Sequence, residues 1–321
     1  MLTTRIVEML EVTEAAALAA ARWMGKGDKH AADQAAVEAM RAAFDRIPIS
    51  GEIVIGEGER DEAPMLYIGE HVGAGGEEVD IAVDPLEGTN LTAYGQPNSL
   101  AVLAFAPKGT LLNAPDTYMW KIATGPAAAD VVHIDATPTE NVRNVAKALG
   151  RDVEDIVVCI LDRDRHADLI REVRQAGARI RLISDGDVFG AVATAIEGTG
   201  IHLYMGAGGA PEGVLAAAAM RCIGGCFMGR FNFRNDEERK RAEQMTKCDI
   251  DGVLTMDCLV NTDEAAFIAT GVTDGELLRG VKFFGKGART HSIAMDNKTG
   301  TVRFIETVHR TGGERFWVRR D

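Results

Sequence analysis

The sequence predicts an α/β protein whose N-terminal half is α+β in character. Three observations carry that expectation. After about residue 135, short apolar strand-like runs alternate with helical patterns. Before it, two helical stretches precede strands that run directly into acidic, glycine-containing turns. The 321 residues are 46% hydrophobic and 26% charged, the composition of a chain with a large buried core. At ~100–200 residues per domain the length suggests two units. An α+β domain is expected over 1–135 and an α/β domain over 136–321, with an extensive interface because no linker or internal repeat separates them.

The elements follow in order. Thr13 can cap the run that begins at Glu14, and Gly25-Lys26-Gly27 stops it. A second helix starts near Ala31, with Asp33 in its first turn and Ala35, Val37, Met40, Phe44 and Ile47 on one face, and it ends at Pro48. Residues 53–55, 79–83 and 99–106 read as buried strands. Strands at 156–161, 179–183 and 201–205 alternate with helices at 167–175, 188–197 and 211–222, which predicts parallel strands with a ligand site at their carboxyl ends. Residues 292–295 and 301–308 read as a hairpin around Asp296-Asn297-Lys298-Thr299-Gly300.

Composition excludes several classes of function. With 35 Lys and Arg against 48 Asp and Glu, the formal charge of -13 repels nucleic acid and anionic membrane. A protein this acidic that handles phosphate needs divalent cations or focused arginines. The five cysteines contain no CxxC pair, as expected for free thiols in a reducing compartment. Glu8, Glu11 and Glu14 interrupt the first apolar stretch, which is therefore no signal peptide, and residues 88–107 are too polar to span a membrane. The expectation is a cytoplasmic protein.

The chemistry concentrates in acidic residues at the ends of elements. Gly56-Glu57-Gly58-Glu59-Arg60-Asp61-Glu62 follows one strand and Asp84-Pro85-Leu86-Glu87-Gly88-Thr89 another. Either alone is compatible with a surface turn. Together with Asp33 they offer hard oxygen ligands from three elements, the donor set of Mg²⁺ or Mn²⁺ rather than zinc. Gly206-Ala207-Gly208-Gly209-Ala210-Pro211-Glu212 fails the dinucleotide fingerprint, because its third glycine falls at Pro211. It opens a helix instead, where Glu212 can reach a cation.

These segments, in order, resemble the class II fructose-1,6-bisphosphatases. The residues that carry the likeness are Gly27-Asp28-Lys29 with Ala32-Asp33-Gln34, the two acidic motifs, Asn113-Ala114-Pro115-Asp116, Ile183-Ser184-Asp185-Gly186-Asp187 and Gly208-Gly209-Ala210-Pro211-Glu212. Gly280-Val281-Lys282-Phe283-Phe284 and Arg289-Thr290 look most like the branch that also accepts sedoheptulose 1,7-bisphosphate. The resemblance implies the layered α-β-α-β-α fold of metal-dependent sugar phosphatases. It also implies hydrolysis of the 1-phosphate of fructose 1,6-bisphosphate and a homodimer or homotetramer. Implied metal ligands are Asp33, Glu57, Asp84, Glu87 and Glu212. Implied substrate contacts are Glu87, Gly88, Thr89, Tyr118, Arg163, Asp164, Arg165, Asp185, Gly186, Asp187 and Gly209. Asp164 departs from the family's usual proline, which leaves it either weakening phosphate binding or pointing to solvent.

Roles follow from the chemistry. Thr89 can take the proton of the attacking water, with Asp33, Glu59 or Asp61 completing the relay, or it can cap a helix, and both can hold together. Arg163 and Arg165 suit the unreacting phosphate. Lys29 can meet the reacting phosphate or pair with Asp28 at the surface. Of the seven histidines only His166, beside Arg165, is placed to touch substrate. Other substrates of the same mechanism are sedoheptulose 1,7-bisphosphate, an inositol phosphate or a nucleotide phosphate. The contrasting class is a non-catalytic, metal-stabilised sugar-phosphate sensor, against which Thr89 and the full acidic set argue.

Overall fold

The computed structural model describes residues 5–58 and 64–310. The first helix, α1 (Ile6–Ala20), starts earlier than the sequence suggests. Thr13 is no cap: it lies mid-helix, where its hydroxyl donates to Leu10 O at 3.1 Å and meets Thr270 Oγ1 at 2.8 Å. Helix α2 (Lys29–Phe44) is capped by Asp28, which accepts from Ala31 N, so Asp33 falls in its second turn.

The remaining elements are β1 (Ile49–Ile55), β2 (His71–Val72), β3 (Glu77–Glu87), α3 (Thr89–Ala93), β4 (Leu100–Pro107) and β5 (Tyr118–Thr124). They continue with α4 (Pro138–Leu149), β6 (Val157–Leu161), α5 (Ala167–Ala176), β7 (Arg179–Ile183), α6 (Asp187–Ala193), β8 (Leu203–Gly209) and α7 (Ala210–Ile223). The chain closes through β9 (Cys226–Asn232), α8 (Asp236–Met245), α9 (Met256–Leu259), β10 (Ala266–Gly271), β11 (Lys282–Phe284), β12 (Gly287–Asp296) and β13 (Thr301–Arg310). The last two strands form the expected hairpin, with Asp296 opposite Thr301.

Two mixed sheets result. One runs β11-β12-β10-β4-β3-β1-β2, with β13 on the other edge of β12; the second runs β7-β6-β8-β5-β9. In the second sheet β6 is parallel to β7 and β8, while β5 is antiparallel to both its neighbours, so only part of it meets the parallel expectation. Sheet membership does not follow a boundary at 135: residues 118–124 belong to the second sheet and 266–310 contribute to the first.

Alternation along the strands builds five layers. In β4, Ala101, Leu103 and Phe105 pack with α1 and α2, whereas Leu100, Val102, Ala104 and Ala106 face the cluster containing α6 and α7. In β6, Cys159 and Leu161 face that same cluster, and Val158 and Ile160 face Val142, Val145 and Val173 of α4 and α5. Helices α6 and α7 are therefore sandwiched between the sheets in an α-β-α-β-α stack. The run Ala216-Ala217-Ala218-Ala219 in α7 is buried all round, because only small side chains fit a helix between two sheets.

The thiols differ from expectation. Cys248 and Cys258 form a disulfide, with their Cα atoms 6.1 Å apart, and Cys159, Cys222 and Cys226 are free. The pair stands ten positions apart in sequence, and only folding of the α8–α9 connection brings it together. No helix among the described residues is long and apolar enough to cross a membrane.

Replacing Ala218 by Leu is expected to cost ~1–3 kcal/mol in urea unfolding, because the two sheets leave no room for the added carbons. Replacing Val7, 68% exposed on α1, by Ala should change stability by less than about 0.5 kcal/mol.

Candidate active site

The ends of β1 and β3, the starts of α3 and α7, and α2 meet at one cleft of about 330 Å³, lined by Asp33, Glu57, Asp84, Glu87, Thr89 and Glu212. A recess of about 160 Å³ shares Glu87, Asp185 and Glu212 with it and adds Tyr118, Arg163, Arg165, Asp187, Gly208 and Gly209. The cleft is acidic and the recess adds two arginines to its carboxylates, and the carboxyl ends of β6, β7 and β8 supply the recess, as the sequence predicts.

The motif around Pro85 works through a local irregularity. Asp84 and Glu87 are three apart, which in a regular strand would send them to opposite faces. The β3–β4 register slips between them, with Asp84 opposite Val102 and Glu87 opposite Leu100, and this extra residue returns both carboxylates to one side. Asp84 Oδ1 accepts from Leu86 N at 3.0 Å, and Glu87 Oε1 accepts from Val188 N at 2.9 Å. Gly88, in the left-handed region at φ 80°, then turns the chain into α3. Gly88 is thus the residue before the helix and Thr89 its first member, so Thr89 is not the cap.

Asp84, Glu87 and Glu212 bring carboxylate oxygens within 4.8 Å of one another. Burial, aided by the charges of Asp84, Asp33 and Glu212, pushes the Glu57 carboxyl up to about 9. Burial raises Asp84 to about 6 despite its hydrogen bonds to Glu87 and Leu86, and burial with the Asp187 charge raises Glu212 to about 7. Glu87 is driven well above the ordinary range by burial and by Asp84 and Asp187, and burial raises Asp33. Each of these groups is uncomfortable when ionised without a cation. Glu212 Oε2 is buried with no hydrogen-bond partner, and a Cβ on Gly209 would stand 1.9 Å from it, so the backbone is shaped around an oxygen that lacks a donor. An all-oxygen donor set with an orphaned lone pair fits a hard divalent cation.

A family model described as bacterial fructose-1,6-bisphosphatase, glpX-encoded, matches residues 3–309. The chain belongs to this family. It is 49% identical over 333 residues to the D-fructose 1,6-bisphosphatase class 2/sedoheptulose 1,7-bisphosphatase of Synechococcus sp. (strain JA-3-3Ab), covering 96% of each chain. It is 49% identical over 331 residues to the protein of the same description from Trichodesmium erythraeum (strain IMS101), covering 95% of this chain and 96% of the relative.

The cleft and recess of this family member collect most of the residues named from the sequence. Arg165 is held by two hydrogen bonds from Nε and Nη2 to Ala207 O, at 3.1 and 2.7 Å, with its guanidinium 4.9 Å from the Tyr118 ring centre. Gly186, at φ 87°, caps α6 and sets Asp185 and Asp187 at the recess. Asp164 is exposed and outside the recess lining, the solvent-facing alternative. Lys29 is exposed at the start of α2, outside the cleft lining, because α2 begins there and places Asp33, one turn on, against the cavity. His166 is buried: Nδ1 meets Leu161 O at 2.7 Å and Nε2 accepts from Ala207 N at 2.8 Å, so both ring nitrogens serve the backbone. Glu59 and Asp61 lie outside the described residues. The Gly280 to Phe284 and Arg289-Thr290 segments sit on and beside β11 and β12, away from both linings.

Two neighbours of the site escaped the sequence reading, and a third was quoted there without a role. Lys121 pairs with Asp187 at 2.6 Å in the interior, and its only signal was a lone charge within the apolar run of β5. Arg234, with its guanidinium 5.3 Å from the Tyr118 ring centre, follows β9 and is brought there by sheet pairing alone. Asp116 lines the acidic cleft from the β4–β5 connection.

These raised carboxyls make a signed prediction. A folded-state pKa of about 9 for Glu57, against 4.5 unfolded, gives stability that is fully present below pH 4.5 and lost as pH rises through 9. The chelated protein should therefore melt at progressively lower temperature from pH 5 to 9. Glu57→Gln should flatten that slope, and a divalent cation should raise the melting temperature more at pH 8 than at pH 6.

Proposed function

We propose that the chain hydrolyses the 1-phosphate of fructose 1,6-bisphosphate, releasing fructose 6-phosphate and inorganic phosphate, with Mg²⁺ or Mn²⁺ as cofactor. The observation that carries this reading is one continuous cleft with clustered carboxylates at one end and an arginine-lined recess at the other, in a chain of this family. The names of its relatives pair this activity with sedoheptulose 1,7-bisphosphate, which supports the seven-carbon sugar as a second substrate of the same cleft.

Asp33, Glu57, Asp84, Glu87 and Glu212 would hold the cation, which when bound neutralises phosphate charge and makes a water more acidic. The protein's own residues do the rest. Thr89, half-buried in the cleft wall at the start of α3, offers a hydroxyl to take the water's proton and pass it to a neighbouring carboxylate such as Asp33. Arg163 and Arg165 hold the unreacting phosphate, the latter pre-oriented by Ala207 O and the Tyr118 ring. Asp185, Asp187 and the Gly209 backbone face the sugar from the recess.

A cytoplasmic location belongs to this proposal, since multiply charged sugar phosphates do not cross membranes unaided. So does a homodimer or homotetramer, supported by the exposed Phe283, Phe284 and Phe304 at the β11–β13 end of the first sheet.

Phosphate release should vanish on exhaustive chelation and return with Mg²⁺ or Mn²⁺, with kcat/KM for the six- and seven-carbon bisphosphates within about 100-fold of each other. Undiminished turnover after chelation would remove the metal-dependent reading.

Thr89→Val keeps the shape and loses the hydroxyl, so kcat should fall by ~10²–10⁴ with KM little changed. Arg165→Ala should mainly raise KM, and less so for a monophosphate substrate. The opposite pattern in steady-state kinetics would reverse the two roles.

A further inference from the structure

Strand β5 carries a cation into the interior. Lys121 is 3% exposed, and its Nζ lies 2.6 Å from Asp187 Oδ2. Desolvating two such ions costs several kcal/mol each, recovered only through close geometry and further hydrogen bonds. The surroundings are cut to admit the pair. A Cβ on Gly208 would stand 1.9 Å from Asp187 Oδ2 and 3.3 Å from Lys121 Nζ. Tyr204 OH approaches the same Oδ2 at 3.5 Å. Both donors therefore fall on one carboxylate oxygen. Oδ1 makes no hydrogen bond among the described residues, and Asp187 lines the recess beside Tyr118, Arg165 and Gly209. Lys121 itself is absent from that lining and stands behind Asp187.

We propose that Lys121 is a positioning residue for sugar recognition: it holds Asp187 by Oδ2 so that Oδ1 accepts a hydrogen bond from a sugar hydroxyl. A carboxylate tied at one oxygen has little rotational freedom left to lose when the sugar arrives. The inference rests on the reading of the cleft as a sugar bisphosphatase, and it adds a residue that never touches the substrate.

A double-mutant cycle tests it on the intact protein, with Lys121→Met, Asp187→Asn and the double variant. Calorimetry measures fructose 6-phosphate binding, kinetics measure turnover of fructose 1,6-bisphosphate, and urea unfolding reports stability. Each single variant should weaken fructose 6-phosphate binding and raise KM by about tenfold or more while kcat changes less than about threefold. The double variant should bind no worse than Asp187→Asn alone, because Lys121 acts only through Asp187. A merely structural Lys121 would lower stability yet leave the binding constant of the folded fraction unchanged, or its loss would multiply with that of Asp187→Asn; either result overturns the proposal. If Lys121→Met does not fold, the double variant lacks both buried charges, and its affinity relative to Asp187→Asn decides: equal affinity supports the proposal and weaker affinity overturns it. A wild-type protein that neither binds fructose 6-phosphate nor hydrolyses the bisphosphate would instead remove the reading of the cleft, and this is seen before any variant is made.

Discussion

Asp84, Glu87 and Glu212 hold carboxylate oxygens within 4.8 Å of one another, and the charges of Asp84, Asp33 and Glu212 all raise Glu57. Two like charges at that separation repel by about 3–4 kcal/mol at an effective dielectric of about 20. Left to themselves these groups would separate or stay protonated. They do not separate because the elements that bear them are fixed by apolar layers extending well beyond the cleft. Held together, they keep protons instead, and an oxygen-donor set of this kind suits a divalent cation that would take the protons' place.

The helices between the sheets set where this happens. Helix α7 is 14 residues long, and its near-continuous apolar surface suits burial against a sheet on either side. Its start carries Glu212 into the acidic cleft, and the start of α6 carries Asp187 into the recess. Peptide dipoles place partial positive charge at a helix N-terminus, which favours a carboxylate there. Lys121, reaching up from β5, adds a full charge to that end of the interior, so the Asp187 carboxylate is compensated by the chain itself.

Much of the site was legible in sequence because its residues occupy ends of elements, where glycine and proline punctuate the pattern. Asp84, Glu87, Gly88 and Thr89 are adjacent, and Asp185 to Asp187 and Gly209 to Glu212 likewise stand at strand-to-helix junctions. Misreadings arose where local pattern had two outcomes. Thr13 resembles a cap, yet burial against Thr270 keeps it inside α1. His166 stands beside Arg165, but the need to satisfy Leu161 O and Ala207 N turns its ring inward.

By itself the sequence determined helices α1, α2, α5, α6 and α7, the strands β1, β3, β4, β6, β7 and β8 with the final hairpin, the oxygen-donor chemistry of the acidic cluster and the family, since each depends on short-range periodicity or contiguous motifs. Tertiary structure alone decided which strands share a sheet, that Cys248 meets Cys258, and that Arg234 stands by Tyr118. It also decided that the Gly280 to Phe284 segment lies away from the cleft and that Lys121 faces Asp187 across 66 positions of chain. Those contacts join residues far apart in sequence through strand register and layer packing. Such geometry is a property of the assembled interior, where many weak apolar contacts together choose one arrangement, and no local segment encodes it.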